Sequence, residues 1–492
     1  MSPCSLGFLA SVLLLAAVFA VLRGPRGRQI LLGLANAGFI ASFHPRASTL
    51  LATAGFLLAS WGVLALSARR PSGKLVLGGV TGALAFLIAL KAGGANPDSN
   101  VQPWVSWSDT VGLSYMVFKF IHVLVDVNEK QVRRLSLGTY LNYQLAFFTL
   151  TAGPINRYND FEAAWSGGPD VRPPGPAESF ALWSRIFSGA IKMAIVASAL
   201  GAAIAHGDKW AGPSVAPAAY LRPLLQFYLF PLQIYFDFSG YTDIMIGCAG
   251  LLGFKIPENF DRPFGARNLV EFWNRWHMSL THWLRVYVFM AAYRFVAERH
   301  RTHLRAAGYV LLGTTLVLFG LWHGFTDGYF VFGVVSGLGV VATQMWGDML
   351  SARLGRAGHR RYLARPGIRG LAVVATFHFF CFSELFFARE LPNLAGDLRA
   401  VLDEFSQSST AGVLAALPRL ALLPAAASLL VLAYSRSPRV RAVATAGAPS
   451  APAPGPFRSF ASMTLRAGVL ALFLIEQAFD RTRPVVGFYR TF

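Results

Sequence analysis

The run AAGYVLLGTTLVLFGLWHGFT, residues 306–326, holds no aspartate, glutamate, lysine or arginine and a single histidine, His323. A helix needs roughly 20 predominantly apolar residues to cross the hydrocarbon of a bilayer, and this run has that length. Similar uncharged runs lie at 1–22, 29–45, 47–68, 75–90, 193–207 and 411–418, the last extending through 434. The spacing predicts an all-α polytopic membrane protein with about 11 to 13 membrane segments. Several runs are short, so some of these segments are expected to be tilted, interfacial or re-entrant. The first run lacks a basic leader and a small-x-small cleavage pattern, and reads as a retained helix.

Composition supports this class. The 492 residues are 54% apolar and only 14% charged, whereas soluble domains average about 25% charged residues. Three cysteines without paired spacing give neither a disulfide framework nor a zinc site. The net charge of +20 comes largely from arginines in clusters. Arg23, Arg26 and Arg28 follow the first run, Arg69, Arg70 and Lys74 the third, and Lys130, Arg133 and Arg134 a fifth apolar segment within 110–127. Basic clusters at every second loop mark the cytoplasmic side and place the N-terminus outside. Later basic loops are expected at 298–305 and 353–369. This pattern describes membrane topology and leaves no role for nucleic acid.

The stretch 254–297 breaks the alternation. Trp273, Trp276, Leu280, Trp283 and Tyr287 recur at helical spacing, while Asn274, His277 and Thr281 share another face. Indole and phenol rings favour the headgroup level, so 268–289 reads as one interfacial or re-entrant helix that carries His277 inward. Non-helical backbone at membrane depth is tolerated only inside protein or beside a water-filled cavity. Imidazole titrates near neutrality, and an ionisable group near a bilayer is costly enough to suggest function. His277 and His323 are therefore the leading candidates for chemistry, expected to line one cavity. Lys119, His122 and Asp126 lie on one helical face and read as a structural network. Metal-ligand spacings, phosphate loops and a nucleophile elbow are missing from the sequence.

Four motifs in order carry a resemblance: Tyr235-Phe-Asp-Phe-Ser-Gly-Tyr-Thr-Asp-Ile244, Pro257-Glu-Asn-Phe260, Phe272-Trp-Asn-Arg-Trp-His-Met-Ser-Leu280 and Gly320-Leu-Trp-His-Gly324. With Val111-Gly-Leu-Ser-Tyr115 and Gly153-Pro-Ile-Asn-Arg-Tyr158 they resemble the membrane-bound O-acyltransferase (MBOAT) family in its bacterial envelope branch. Asn274 stands where the family usually has a first arginine, and Ser336 where a histidine often follows the second motif. The resemblance implies a catalytic core at 105–390, with N-terminal helices over 1–104. C-terminal helices follow at 391–492, with a Pro/Ala/Arg-rich linker at 438–458.

It also implies the reaction: transfer of a D-alanyl or acetyl group from a cytoplasmic thioester to a hydroxyl of an envelope polymer. His323 matches the family's catalytic base, and His277 the second patterned histidine. Asp237, Ser239, Tyr241, Asp243, Asn274, Trp276 and Trp322 are expected to line the substrate. The donor would be an acyl-carrier protein's phosphopantetheine or acyl-CoA, with no bound cofactor and no metal. Partners would be that donor, the polymer or a membrane or periplasmic relay protein, and the lipid of the cytoplasmic (inner) membrane. The segment Tyr287–Val296 looks more like the alanyl-transfer members than the polysaccharide O-acetylases. A transporter or flippase is the reading from another class, disfavoured by the lack of an internal repeat.

Overall fold

The computed structural model describes residues 5–22, 24–43, 47–93, 112–166, 174–206, 218–299, 301–389, 391–407 and 410–436. The linker expected at 438–458 lies outside them. The regular elements among the described residues are all helices, with one isolated antiparallel bridge between Phe260 and Trp276. Among the described residues, five helices are long and apolar enough to cross a membrane: Ala47–Arg69, Pro176–Ala205, Leu304–His323, Asp327–Ala364 and Pro366–Ala388. Gly7–Val21, Gly73–Ala89 and Ala421–Arg436 are shorter apolar helices. With the three shorter ones they make eight apolar helices among the described residues, while the 11 to 13 segments expected from the sequence, re-entrant and interfacial ones included, cover the whole chain. Two long helices outside the five, Pro25–Phe43 and Ala218–Leu251, carry basic residues in the first turns or internal prolines, Pro223 and Pro231.

The chain forms two compact units. One takes the described residues within Met1–Ile195 and Asp237–Glu258. Its centre is Leu113–Asn128, a helix buried on almost every side, including its polar residues Lys119, His122 and Asp126. Lys119 is fully buried there, and its ammonium donates to the carbonyls of Tyr143 (2.9 Å) and Gln144 (3.3 Å) and to Thr149 Oγ1 (2.7 Å). His122 Nε2 lies 3.2 Å from Tyr143 Oη. Lys119 and His122 thus tie the helix to Tyr143, Gln144 and Thr149. Exposed leucines on the early helices (Leu14, Leu34, Leu51, Leu58, Leu77) supply lipid-facing surface.

The second unit takes the described residues within Val196–Phe236 and Asn259–Gly455. Leu304–His323 and Asp327–Ala364 form a tight hairpin. A Cβ added at Gly320 would lie 2.4 Å from the Tyr329 carbonyl oxygen, and one at Gly333 would lie 2.9 Å from that of Leu316. Glycine at both positions lets the backbones touch, the packing mode of membrane helices that lack a hydrophobic driving force between them.

Two sequence expectations need correction. The basic stretch 353–369 is not a loop: Asp327–Ala364 continues through it, kinked at Gly355, and Pro366 starts the next helix immediately. Arginine is a good helix former, and this end of the helix is largely exposed. The single helix expected over 268–289 is broken into Leu269–Trp273 and Met278–Trp283, the latter continuing through a π-helical turn at Leu284–Phe289 into Met290–Arg299. Trp273, Trp276 and Trp283 are buried inside the protein rather than aligned along one exposed face.

Candidate active site

His277 occupies the break between those two short helices. Its backbone is left-handed (φ 44°, ψ 51°), a conformation that costs most residues energy and must be held from outside. Asn259 holds it. The Asn259 carbonyl accepts from the amide of Met278 (2.9 Å), and its side-chain oxygen accepts from Ser279 Oγ (2.6 Å) and the Ser279 amide (3.3 Å). Asp261 N donates to the Arg275 carbonyl at 3.0 Å, beside the Phe260–Trp276 bridge. The Pro257–Phe260 motif is thus the clamp that shapes the histidine turn. Burial pushes the His277 imidazole down to about 3, so it stays neutral at working pH. Glu271 accepts from Arg275 (2.7 Å) and Arg267 (3.0 Å), and Asn274 accepts from Arg285.

His323 is the last residue of its helix and is half-buried at the turn of the hairpin. Five aromatic rings surround it: Trp322 at 4.5 Å between centroids, Phe387 at 4.8, Phe319 at 4.9, Tyr329 at 5.8 and Phe332 at 6.5 Å. The two histidine motifs meet through these rings. Trp273, four residues before His277, packs 5.3 Å from Phe319, four residues before His323. Pro366–Ala388 touches both motifs with one face. Phe380 lies 4.9 Å from Trp276 and 4.3 Å from Phe272, and Phe387 lies against His323.

A cavity of about 590 Å³ runs beside this junction. It follows one face of Leu304–His323 from Leu304 to Phe319, a rise of about 22 Å at 1.5 Å per residue. Its walls are mainly apolar, and Arg285, Arg305, Gln344 and Asp348 supply polar groups. Trp273, Asn274 and Phe319 line it, whereas His277 and His323 do not. Among the expected substrate-lining residues, Asn274 reaches this cavity; Trp276 and Trp322 pack in the aromatic cluster instead.

Asp237, Ser239, Tyr241 and Asp243 belong to the other unit. Asp243 accepts from Arg185 Nε at 2.9 Å and Lys192 Nζ at 2.7 Å, and Arg185 also grips Glu258 with both terminal nitrogens. Tyr241 Oη lies 2.5 Å from Thr151 Oγ1. Asp237 and Ser239 are buried. A Cβ on Gly240 would come within 2.6 Å of the Gly189 carbonyl, so the Phe-Ser-Gly-Tyr-Thr motif is also a close helix contact. Its carboxylate is bound up in ion pairs that fix this contact. Sequence reasoning missed Arg185, Phe319, Tyr329 and Phe387, whose roles come only from where the chain folds back. Among the described residues no cluster of three or more metal-ligating side chains occurs.

The chain belongs to the MBOAT, membrane-bound O-acyltransferase family, whose model matches residues 49–384. It is therefore a multi-pass membrane protein and an acyltransferase. It is 30% identical over 295 residues to the teichoic acid D-alanyltransferase of Bacillus subtilis, covering 56% of this chain and 68% of that one. It is 27% identical over 316 residues to the teichoic acid D-alanyltransferase of Streptococcus thermophilus, covering 63% and 75%. The probable alginate O-acetylase of Pseudomonas aeruginosa is 30% identical over 230 residues, covering 46% of this chain and 41% of that protein.

Proposed function

We infer that this enzyme moves an acyl group from a thioester donor, arriving from the cytoplasm, to a hydroxyl of a cell-envelope polymer in the cytoplasmic membrane, with His323 as general base. The observation that carries this reading is His323 itself, half-buried among five aromatic rings at the turn of the hairpin. A hydroxyl is a weak nucleophile until a positioned base accepts its proton. His323 takes that proton as the hydroxyl oxygen attacks the thioester carbonyl carbon. The carbon–sulfur bond then breaks, and the leaving thiolate recovers a proton. Transfer is direct, with no acyl-enzyme.

The long cavity supports the donor's approach. Arg285 and Arg305 lie among its lining groups, suited to the phosphate of a carrier-bound pantetheine or of coenzyme A, and its apolar walls lead to Phe319 at the back of His323. His277, neutral and held rigidly, is suited to hydrogen bonding with donor or acceptor rather than to carrying charge. Alignment over more than two thirds of the D-alanyltransferases' length favours an alanyl group over acetyl.

The test is mass spectrometry of envelope polymer incubated with membranes containing the wild-type protein or His323→Ala. Loss of the base should lower transfer by about 10²–10⁴-fold at equal membrane abundance. Wild-type turnover by a well-folded His323→Ala protein would remove His323 from the role.

A further inference from the structure

Glu384 is 4% exposed, in the apolar Pro366–Ala388 helix, and its Oε2 has no hydrogen-bond partner among the described residues. It forms no ion pair with any of them; the nearest basic residue along the chain, Arg389, is engaged by Asp397. A buried carboxyl without partners is costly, and an ionisable group within a membrane helix marks a functional position. Its place is specific. Glu384 shares a helix face with Phe380, one turn before it, and Phe387, one turn after it. Phe380 rests on Trp276 of the first histidine motif, and Phe387 lies 4.8 Å from His323. The carboxyl is also close enough to act electrostatically on the Tyr329 phenol, whose ring is 5.8 Å from His323. The one carboxyl on this face therefore sits between the two histidine motifs.

We propose that Glu384 is the counter-ion for the α-ammonium of an aminoacyl group, and so sets this enzyme's choice of acyl donor. The inference rests on the acyl-transfer reading above and names the class of acyl group within it. Alanyl and acetyl groups differ by a methyl and a cationic amine placed next to the reacting carbonyl. With the carbonyl at His323, the amine lies beside it, and Glu384 is one turn along its own helix from Phe387, whose ring is 4.8 Å from His323. A carboxylate accepting from an ammonium in a dry site makes a strong, charge-assisted bond. An acyl group without the amine leaves that carboxylate unpaired, and sites built around a polar partner reject analogues that lack it.

The experiment compares alanyl-pantetheine with propionyl-pantetheine, which has the same carbon skeleton without the amine. Transfer to the native envelope polymer is read by mass spectrometry as kcat/KM for each donor, with wild type, Glu384→Gln and Glu384→Asp. Taking the ratio on one preparation cancels differences in folded fraction. Wild type should prefer alanyl, and Glu384→Gln should lower the alanyl-to-propionyl ratio by at least about tenfold, with Glu384→Asp restoring part of it. An unchanged ratio in Glu384→Gln, or a wild type that transfers propionyl as well as alanyl, overturns the proposal. His323→Ala in the same assay separates the two readings. Propionyl transfer that His323→Ala abolishes, beside a ratio that Glu384→Gln leaves intact, sinks the amine site and keeps the base. Transfer that survives His323→Ala while the ratio collapses in Glu384→Gln does the reverse.

Discussion

At the scale of single residues, the two histidines are held in opposite ways. His323 ends a regular helix and needs no special backbone, so its identity is free to serve chemistry. His277 sits at φ 44°, where β-branched side chains are disfavoured and asparagine is comparatively well tolerated. This separates the turn from the imidazole. His277→Asn should keep the thermal midpoint of the detergent-solubilised protein and lose acyl transfer. His277→Val should unfold more easily, by about 1–2 kcal/mol, from the cost of a left-handed backbone. Wild-type transfer by His277→Asn would show that only the turn matters. Because burial holds His277 near 3, the acid limb of the pH–rate profile around neutrality belongs to another group. His277→Asn should leave its position unmoved in whatever activity remains.

Among the elements, the hairpin of Leu304–His323 and Asp327–Ala364 governs where His323 points. Gly320 is one turn below the histidine, and a methyl there would meet the Tyr329 carbonyl at 2.4 Å. Gly313, on the same helix, would place its methyl 3.6 Å from Val341 Cγ2, an ordinary contact. Gly320→Ala should therefore cost about 1–3 kcal/mol by overpacking, with a lower thermal midpoint and reduced transfer. Gly313→Ala should be neutral or slightly stabilising, since alanine is the better helix former. Equal midpoints for the two variants would show that the hairpin yields freely. The sequence made much of this element legible, because an uncharged run of spanning length ending in Gly-Leu-Trp-His-Gly is local information. The break at Asn274–His277 was not. Trp273, Trp276, Leu280 and Trp283 keep helical spacing across it, and the turn is held by Asn259, 18 residues earlier in the chain. Glu384 was hidden for a related reason: one carboxyl in an apolar run acquires meaning only when Phe380 and Phe387 are seen on opposite histidine motifs.

For the whole molecule, the remaining question is which end of each helix meets the cytoplasm, and the arginine clusters answer it by physical argument. Positive residues stay on the cytoplasmic side during insertion, and Lys130, Arg133 and Arg134 are exposed between Leu113–Asn128 and Leu137–Leu145. The basic end of Asp327–Ala364 carries the second test site, exposed although helical rather than looped. Cysteines introduced at Lys130 and at Arg356 should react with an impermeant maleimide only after the membrane is breached. The measurement is made in a Cys4→Ser background, since the other two native cysteines, Cys248 and Cys381, are both fully buried. The orientation bears on the chemistry. The long cavity begins at Leu304 and Arg305, next to the basic segment 298–305, so a cytoplasmic location for that segment opens the cavity to a donor from inside the cell. A third cysteine at Arg299, an exposed residue, should show the same protection in intact cells. Labelling of Lys130→Cys or Arg299→Cys from outside intact cells would invert the topology and open the cavity to the other face.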